Sequence, residues 1–123
     1  MKSELQKLTN KEEEVMKVLW KLKKGFVKDI LKEYSGSKPH YNTLSTIVRH
    51  LEDKKYVGYE AFGNTHRYFP LVSREDYRKR FVNKTVADFY DNSYKNMVSF
   101  FAKEQKITAE ELREIIDLIE KNK

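Results

Sequence analysis

Residues 41–69 read YNTLSTIVRHLEDKKYVGYEAFGNTHRYF, and within this stretch a helical pattern gives way to a strand pattern. The first half places apolar residues three and four positions apart, which is the spacing of one face of an α-helix. These residues are Leu44, Ile47, Val48 and Leu51. We therefore predict a helix that begins near Asn42 or Thr43 and extends over about 42–54.

The second half of the stretch predicts a β-hairpin over about 56–70. Residues 56–62 and 65–69 are rich in tyrosine, phenylalanine and other residues that are common in strands. Gly63-Asn64 separates the two runs, and a two-residue connection that contains glycine favours a tight hairpin turn.

Two more helices are predicted ahead of this stretch. Thr9-x-x-Glu12 has the form of a capping box, which opens a first helix, and Gly25 stands where that helix would stop. The apolar stripes are Val15, Val18, Leu19 and Leu22 for the first helix, and Val27, Ile30, Leu31 and Tyr34 for the second. Three short helices followed by one hairpin predict a winged helix-turn-helix head, which we place at residues 1–72.

The chain returns to a helical pattern after Pro70, which predicts a C-terminal helical tail over residues 73–123. Few helix breakers occur between Ser73 and about Lys103, so we predict a single long helix there. Thr108-x-x-Glu111 is a second capping box and opens a final helix. The predicted fold class is therefore mainly α with a small β-hairpin, a winged helix-turn-helix head plus a C-terminal helical dimerisation region.

The tail carries apolar residues at helical spacing without an obvious third layer to cover them. An apolar stripe that lacks an internal partner usually finds an external one, and a two-fold dimer is the commonest solution. The alternative is that the tail folds back on the head. We expect a homodimer formed through Val86, Phe89, Tyr90, Met97, Phe101, Leu112, Ile115, Ile116 and Ile119.

Charge is distributed unevenly along the chain. The net charge is +6, and residues 1–80 carry 18 Lys/Arg against 11 Asp/Glu, whereas residues 81–123 carry 7 against 8. A basic excess that is confined to the head favours a polyanionic partner, chiefly nucleic acid. The near-neutral tail is expected to have a different role.

The sequence lacks recognisable catalytic and metal-binding motifs. It has no cysteine, and the spacings of His40, His50 and His66 match no metal motif. Residues 12–14 are three consecutive glutamates, which we interpret as a solvated first helical turn that the helix dipole favours. We therefore expect no enzyme, no cofactor and no metal, and no small-molecule substrate is evident.

The cellular location is predicted from two absences in the sequence. No apolar run approaches the roughly 18 residues that cross a bilayer, and the N-terminal residues lack the apolar core of a signal peptide. We therefore expect a cytoplasmic protein.

The predicted third helix presents short hydrogen-bonding side chains and one arginine opposite its apolar stripe. Such side chains suit the base edges and phosphates of a DNA major groove, and the free N–H groups at the helix start add affinity for phosphate. The alternative is an ordinary solvated face, but the place of this helix directly before a hairpin favours DNA binding. The candidate DNA-binding residues are Asn42, Thr43, Ser45, Thr46, Arg49 and His50.

Arg67 in the hairpin is a further candidate DNA-binding residue. The hairpin of a winged helix is called its wing, and it commonly lies along a phosphate backbone or in a minor groove. Lys54 and Lys55 suit either a DNA contact or the negative end of the helix dipole, and both interpretations stay open. The hairpin aromatics are either base-stacking platforms or, as we favour, packing that holds the hairpin on the helices. They are Tyr56, Tyr59, Phe62, Tyr68 and Phe69.

Several segments together resemble the penicillinase repressors of the BlaI, MecI and CopY type. The resemblance covers nearly the whole chain and lies in Leu8–Trp20, Val27–Ile30, Tyr41–Gly58, Arg67–Tyr77 and Leu112–Ile119. It implies a homodimer that binds a palindromic operator in double-stranded DNA and represses resistance or copper-handling genes. For the antibiotic branch it also implies a membrane sensor metalloprotease, whose signal leads to cleavage of the repressor within its dimerisation region.

The chain departs from the pattern of this family at three places. The copper branch carries a C-terminal cysteine cluster, which is lacking here. The antibiotic branch is cleaved at an Asn-Phe pair, and the corresponding segment here offers Ser99-Phe100 as the candidate cleavage site. Asn42 and Ser45 stand where basic residues often occur in the antibiotic branch, so we expect a different operator sequence.

These observations predict a dimeric transcriptional repressor that binds a palindromic operator through the helix at about 42–54 and the wing at about 56–70. The alternative hypothesis is a winged-helix protein-interaction module without direct DNA binding. Fold alone does not separate the two, but the basic head argues against the alternative.

Overall fold

The computed structural model describes residues 5–122 of the chain. Within these residues the protein has six helices and one two-stranded antiparallel sheet, which confirms the predicted mainly α fold with a small hairpin. The elements in chain order are α1 (Asn10–Leu22), α2 (Val27–Glu33), α3 (Tyr41–Asp53), β1 (Val57–Phe62), β2 (Thr65–Pro70), α4 (Arg74–Phe89), α5 (Tyr94–Lys103) and α6 (Ala109–Lys121).

The predicted capping box at the start of α1 is confirmed. The Thr9 hydroxyl accepts a hydrogen bond from the Glu12 N–H at 3.1 Å, and the Glu12 carboxylate accepts one from the Thr9 N–H at 2.8 Å. These two bonds satisfy N–H groups that a helix start leaves without a partner in the helix.

The prediction that Gly25 stops α1 is wrong. The helix ends at Leu22, and its C-cap is Lys23, which has a φ of +74° and donates its N–H to the carbonyl of Leu19 at 2.7 Å. Gly25 instead pairs with Tyr68, and the two N–H···O bonds measure 2.9 and 2.8 Å. A Cβ atom at Gly25 would lie 3.3 Å from the Leu22 side chain, so a larger residue in this short bridge to β2 would require Leu22 to move by a few tenths of an ångström.

The hairpin has the predicted position and connection. Cross-strand pairing runs from Val57 opposite Pro70 to Phe62 opposite Thr65, so Gly63-Asn64 forms the two-residue turn. Gly63 has a φ of +61°, a region that glycine enters without steric cost.

One hydrophobic core joins the first three helices and the hairpin. Apolar side chains of α1, α2, α3 and β1 lie within it at exposures of 0–1%, and burial of this kind is the main favourable term in folding. The fully buried members include Val15, Met16, Leu19, Ile30, Leu44, Val48, Leu51, Tyr56 and Val57. The head is therefore a winged helix, as the sequence predicts.

The three glutamates at the start of α1 contact other elements, so the interpretation of a simply solvated first turn is wrong. Glu12 is 4% exposed and its carboxylate lies 2.7 Å from the Lys54 ammonium. The neighbouring Glu13 accepts a hydrogen bond from the hydroxyl of Tyr77 at 2.5 Å, and Glu14 accepts one from Tyr34 at 2.6 Å. Burial, together with the bond to Glu14, raises the pKa of the Tyr34 hydroxyl to about 12, so this tyrosine stays a neutral donor.

Replacement of Glu12 by alanine is expected to lower the free energy of unfolding of the head by about 2–3 kcal/mol. The variant leaves the largely buried Lys54 ammonium without its carboxylate and removes half of the capping box. Urea titration at neutral pH measures the change. Glu12→Gln keeps an oxygen for the Thr9 N–H, so its free energy of unfolding should fall less. A decrease below about 0.5 kcal/mol in the alanine variant would contradict a stabilising role for the contacts of Glu12 with Lys54 and Thr9.

Stability is also expected to fall in acid through Glu12. Burial pushes the pKa of this carboxyl up, but hydrogen bonds from Lys54 and Thr9 to its charged form outweigh burial and hold the pKa below the ordinary 4.5. Because the folded pKa is the lower one, the stabilisation is present above about pH 4.5 and is lost as the pH falls through the folded pKa. The stability difference between the unmodified chain and Glu12→Gln should therefore shrink as the pH falls below about 4.5, and a difference that stays constant with pH would count against this account.

The segment after the hairpin is attached to α1. The Trp20 indole N–H donates to the carbonyl of Val72 at 2.9 Å, and the Tyr77 hydroxyl donates to Glu13. The chain divides into two compact units between Tyr77 and Arg78, inside α4. We therefore call the unit that ends at Tyr77 the head and the unit that begins at Arg78 the tail.

The prediction of one long helix up to about Lys103 is wrong, because the chain turns between α4 and α5. Asp91 and Asn92 have φ values of +52° and +61°, and Ser93 caps α5 by accepting the Asn96 N–H at 3.0 Å. Asp and Asn enter the left-handed region more readily than most residues, and serine is a preferred N-cap. The described tail therefore has three helices, and the last of them opens with the predicted capping box of Thr108 and Glu111.

Candidate nucleic-acid interface

Helix α3 is held in the head by one face and presents the other to solvent. Leu44, Ile47, Val48 and Leu51 are buried in the core, as the spacing predicts. The candidate DNA-binding residues lie on the remaining surface. Asn42, Thr43, Thr46, Arg49 and His50 are exposed, and Ser45 is half-buried.

Local hydrogen bonds order part of this exposed face. The Thr46 hydroxyl donates to the carbonyl of Asn42 at 3.1 Å, and a terminal nitrogen of Arg49 lies 3.5 Å from the Thr46 hydroxyl. The Arg49 guanidinium is therefore directed back along the helix, and its donors remain available to a planar or anionic acceptor.

A groove of about 570 Å³ separates α3 from the hairpin, which we call the wing. Two of the candidate residues, Ser45 and Arg49 of α3, line it, and His66 of β2 lies on the wing side. The other candidates, Asn42, Thr43, Thr46, His50 and Arg67, are not among its lining residues. The lining comprises Phe26, Val27, Lys28, Tyr41, Ser45, Arg49, Glu52, Asn64, Thr65, His66 and Tyr68.

Sequence reasoning missed Lys28 and Tyr41 as groove residues. Tyr41 is the first residue of α3 and is 51% exposed, one position ahead of the predicted helix start. Lys28 lies in the first turn of α2, and only the packing of α2 beside α3 brings it to the groove.

Arg67 is engaged within the wing. Its guanidinium donates to the Glu60 carboxylate at 2.9 Å and lies 4.9 Å from the ring centre of Phe62. The Lys24 ammonium lies 3.6 Å from the same Glu60 oxygen. The hydrogen bond from Arg67 is the main reason that the pKa of the Glu60 carboxyl lies below its usual range.

The two lysines at the end of α3 differ in their surroundings. The Lys54 ammonium is held by the Glu12 carboxylate at 2.7 Å and by the carbonyl of Lys7 at 2.9 Å, which places it in the head structure. Lys55 is exposed and has a φ of +69°. Of the two interpretations, the structure favours a structural role for Lys54.

The wing aromatics divide into two groups. Tyr56 and Tyr68 are buried at 1% and 6% exposure, which confirms packing for these two. Tyr59 and Phe62 are 43% and 48% exposed, and the Tyr59 ring stacks on His66 with centroids 4.0 Å apart. Two rings of the wing therefore stay accessible from outside the core.

Family comparison agrees with this arrangement. The sequence profile of the family described as penicillinase repressor matches residues 8–121. The chain belongs to the penicillinase repressor family. Membership confirms the resemblance predicted from the sequence, and it makes this repressor a DNA-binding transcriptional regulator and not an enzyme. The alternative of a protein-interaction module without direct DNA binding is thereby disfavoured.

Individual relatives match the repressor over almost its whole length. The penicillinase repressor of Bacillus licheniformis is 26% identical over 94% of this chain and 91% of its own. The methicillin resistance regulatory protein MecI of Staphylococcus aureus (strain N315) is 22% identical over 98% of this chain and 99% of its own. A solved structure on the regulation of DNA binding of Bordetella bronchiseptica BpsR by 6-hydroxynicotinic acid aligns with 94% of this chain and 75% of that chain at 16% identity, with a TM-score of 0.48.

The tail residues predicted for dimerisation differ widely in exposure. Val86 is 1% exposed in the single chain, so its side chain is already covered there. Tyr90, Met97, Phe101 and Leu112 are half-buried. The more exposed members are Phe89 at 77%, Ile115 at 41%, Ile116 at 55% and Ile119 at 56%.

Two other kinds of feature are absent from residues 5–122. No cluster of three or more histidine, aspartate or glutamate side chains in this part of the repressor is arranged to hold a metal ion. None of the helices among these residues has the length and apolar character needed to cross a membrane.

Proposed function

We propose that the repressor acts as a homodimer whose two heads read a palindromic operator in double-stranded DNA. Each α3 would enter a major groove, and two-fold symmetry would place the second α3 about one helical turn, roughly 34–36 Å, along the duplex. Asn42, Thr43, Ser45, Thr46, Arg49 and His50 would face base edges and phosphates, while Arg67 and the rest of the wing would follow the backbone.

The observation that carries this proposal is the two-sided character of α3. Its apolar side is fixed in the core, and its outer side presents short polar groups and Arg49 next to a groove that the wing closes. A helix with this character beside a hairpin suits the width of a DNA major groove. The excess of 18 Lys/Arg over 11 Asp/Glu in residues 1–80 supplies attraction to phosphate.

Binding of the full-length repressor to genomic fragments, including the DNA upstream of its own gene, tests the proposal. We expect the observed association constant to fall steeply with salt concentration, because counterions are released from each phosphate that is contacted. Binding that does not respond to salt, or no retained fragment at all, would refute DNA recognition by this surface.

The tail supports the dimeric part of the proposal. Within the described residues, α5 and α6 contain no buried residue, although both helices are amphipathic. Large apolar side chains are therefore left in solvent, and exposure on this scale usually marks an interaction surface. We call them the tail apolar surface; they are Phe81, Phe89, Tyr94, Phe100, Ile115, Ile116, Leu118 and Ile119.

Relief of repression is proposed to follow cleavage at Ser99-Phe100 on a signal from a membrane sensor metalloprotease, with the repressor itself cytoplasmic. Both residues lie inside α5, so the bond becomes accessible to an extended-substrate protease only when this helix unwinds locally. Cleavage there would separate α6 from α4 and divide the tail apolar surface. Mass spectrometry of the repressor from induced cells should show a fragment that ends at Ser99, and an intact chain under full induction would refute this step.

A further inference from the structure

We infer that Glu60 is a built-in counter-ion of the wing, which competes with DNA phosphate for Lys24 and Arg67 and so limits the sequence-independent part of the DNA affinity. The inference rests on the proposed DNA-binding function. It adds a residue that sets how strongly the wing holds any duplex.

One carboxylate oxygen of Glu60 contacts both cations. Glu60 Oε1 accepts from Nη2 and Nε of Arg67 at 2.9 and 3.3 Å, and it lies 3.6 Å from Nζ of Lys24. The antiparallel register places Glu60 directly opposite Arg67, and the bridge between Gly25 and Tyr68 brings Lys24 beside them. The cluster is therefore assembled from three separate segments of the head.

The cluster is within reach of a ligand at the tip of the wing. Two residues separate Glu60 from Gly63, and two separate Arg67 from Asn64. Along the strand, each of these two side chains therefore lies about 10 Å from the nearest residue of the turn. That distance is comparable to the range over which charges act at physiological salt. The side chains of Lys24, Glu60 and Arg67 are 54%, 44% and 34% exposed, so a phosphate can approach all three.

The charge of the cluster depends on Glu60. Two cations and one carboxylate give a net charge of about +1, and a neutral side chain in place of Glu60 would give about +2. The Phe62 ring lies 4.9 Å from the Arg67 guanidinium and orients it without neutralising it. Exposed ion pairs contribute little to stability, so phosphate can take the place of the carboxylate without loss of the hairpin.

Glu60→Gln isolates this effect, because glutamine keeps an oxygen that can accept from Arg67 but removes the charge. The full-length variant is titrated into a labelled duplex of random sequence, about 30 base pairs long, at several salt concentrations. We expect the dissociation constant near 0.1 M salt to fall roughly threefold to tenfold, and the slope of log association constant against log salt to steepen by about 1. Addition of Arg67→Ala to this variant should remove the gain.

Glu33→Gln is the matched control. Glu33 also pairs with an exposed lysine, Lys21, at 3.7 Å, and the change in net charge is the same. We expect this control to shift the dissociation constant by less than about twofold, since its charge lies outside the wing.

The possible results separate this inference from the proposed function. An equal gain in Glu33→Gln would overturn the role of Glu60, because net charge alone would then explain the effect. Unchanged or weaker binding by Glu60→Gln, while the unmodified repressor binds DNA, would also overturn it but leave the proposed function standing. Failure of the unmodified repressor to bind any duplex would instead refute the proposed function.

Discussion

Replacement of Ile116 by glutamate is expected to convert the proposed dimer of the repressor into a monomer. Ile116 is 55% exposed in the single chain. Burial of this exposed part at an interface would contribute about 1 kcal/mol for each copy. A carboxylate in its place must also be desolvated, which costs about 1–3 kcal/mol or more. Two-fold symmetry applies both changes twice, so we expect the dimer dissociation constant to rise about a thousandfold.

Sedimentation equilibrium over a range of protein concentrations measures this change. Arg113→Gln on the same helix is the matched control, because it alters the net charge by the same amount at an exposed residue outside the tail apolar surface. The control should remain dimeric. A stable dimer in the Ile116→Glu variant, or a monomer in the unmodified chain, would refute dimerisation through this surface.

Replacement of Arg49 by alanine is expected to weaken operator binding by about 1–3 kcal/mol, which is roughly fivefold to more than a hundredfold. The guanidinium is the longest exposed donor on α3, and it borders the groove together with Ser45 and His66. If it contacts a base edge, the loss should be larger on the operator than on random duplex. Competition titrations on an operator recovered by selection from random sequences provide both values.

Lys17→Ala is the control for the Arg49 variant. Lys17 is an exposed cation of α1 that does not border the groove, so its removal changes the net charge of the head by the same amount. We expect a small and sequence-independent loss in this control. Equal losses for the two variants on both duplexes would mean that Arg49 contributes only charge.

Local patterns predicted the helical and hairpin elements of the head correctly. The capping box of Thr9 and Glu12 and the turn at Gly63-Asn64 form as expected. Both depend on residues within three positions of each other, so the sequence alone contains the necessary interactions. The buried stripe of α3 was predictable for the same reason, since its period sets which side must leave water.

The failed predictions concern places where local patterns allow more than one outcome. Gly25 could end a helix, but it pairs with Tyr68, which lies 43 positions later in the chain. The tail segment from Ser73 onward reads as continuous helix, yet Asp91 and Asn92 take left-handed conformations that the composition allows but does not require.

The sequence by itself determined a basic winged-helix head, an amphipathic tail and the polar face of α3. These follow from periodicity, turn chemistry and charge, which act between near neighbours. Only the tertiary structure decided that Lys54 pairs with Glu12, that Lys24 and Arg67 both pair with Glu60, and that the end of the head is hydrogen-bonded to α1. Each of these pairings depends on how the packed core positions short-range polar groups from different elements, because a hydrogen bond or ion pair forms only over a few ångströms.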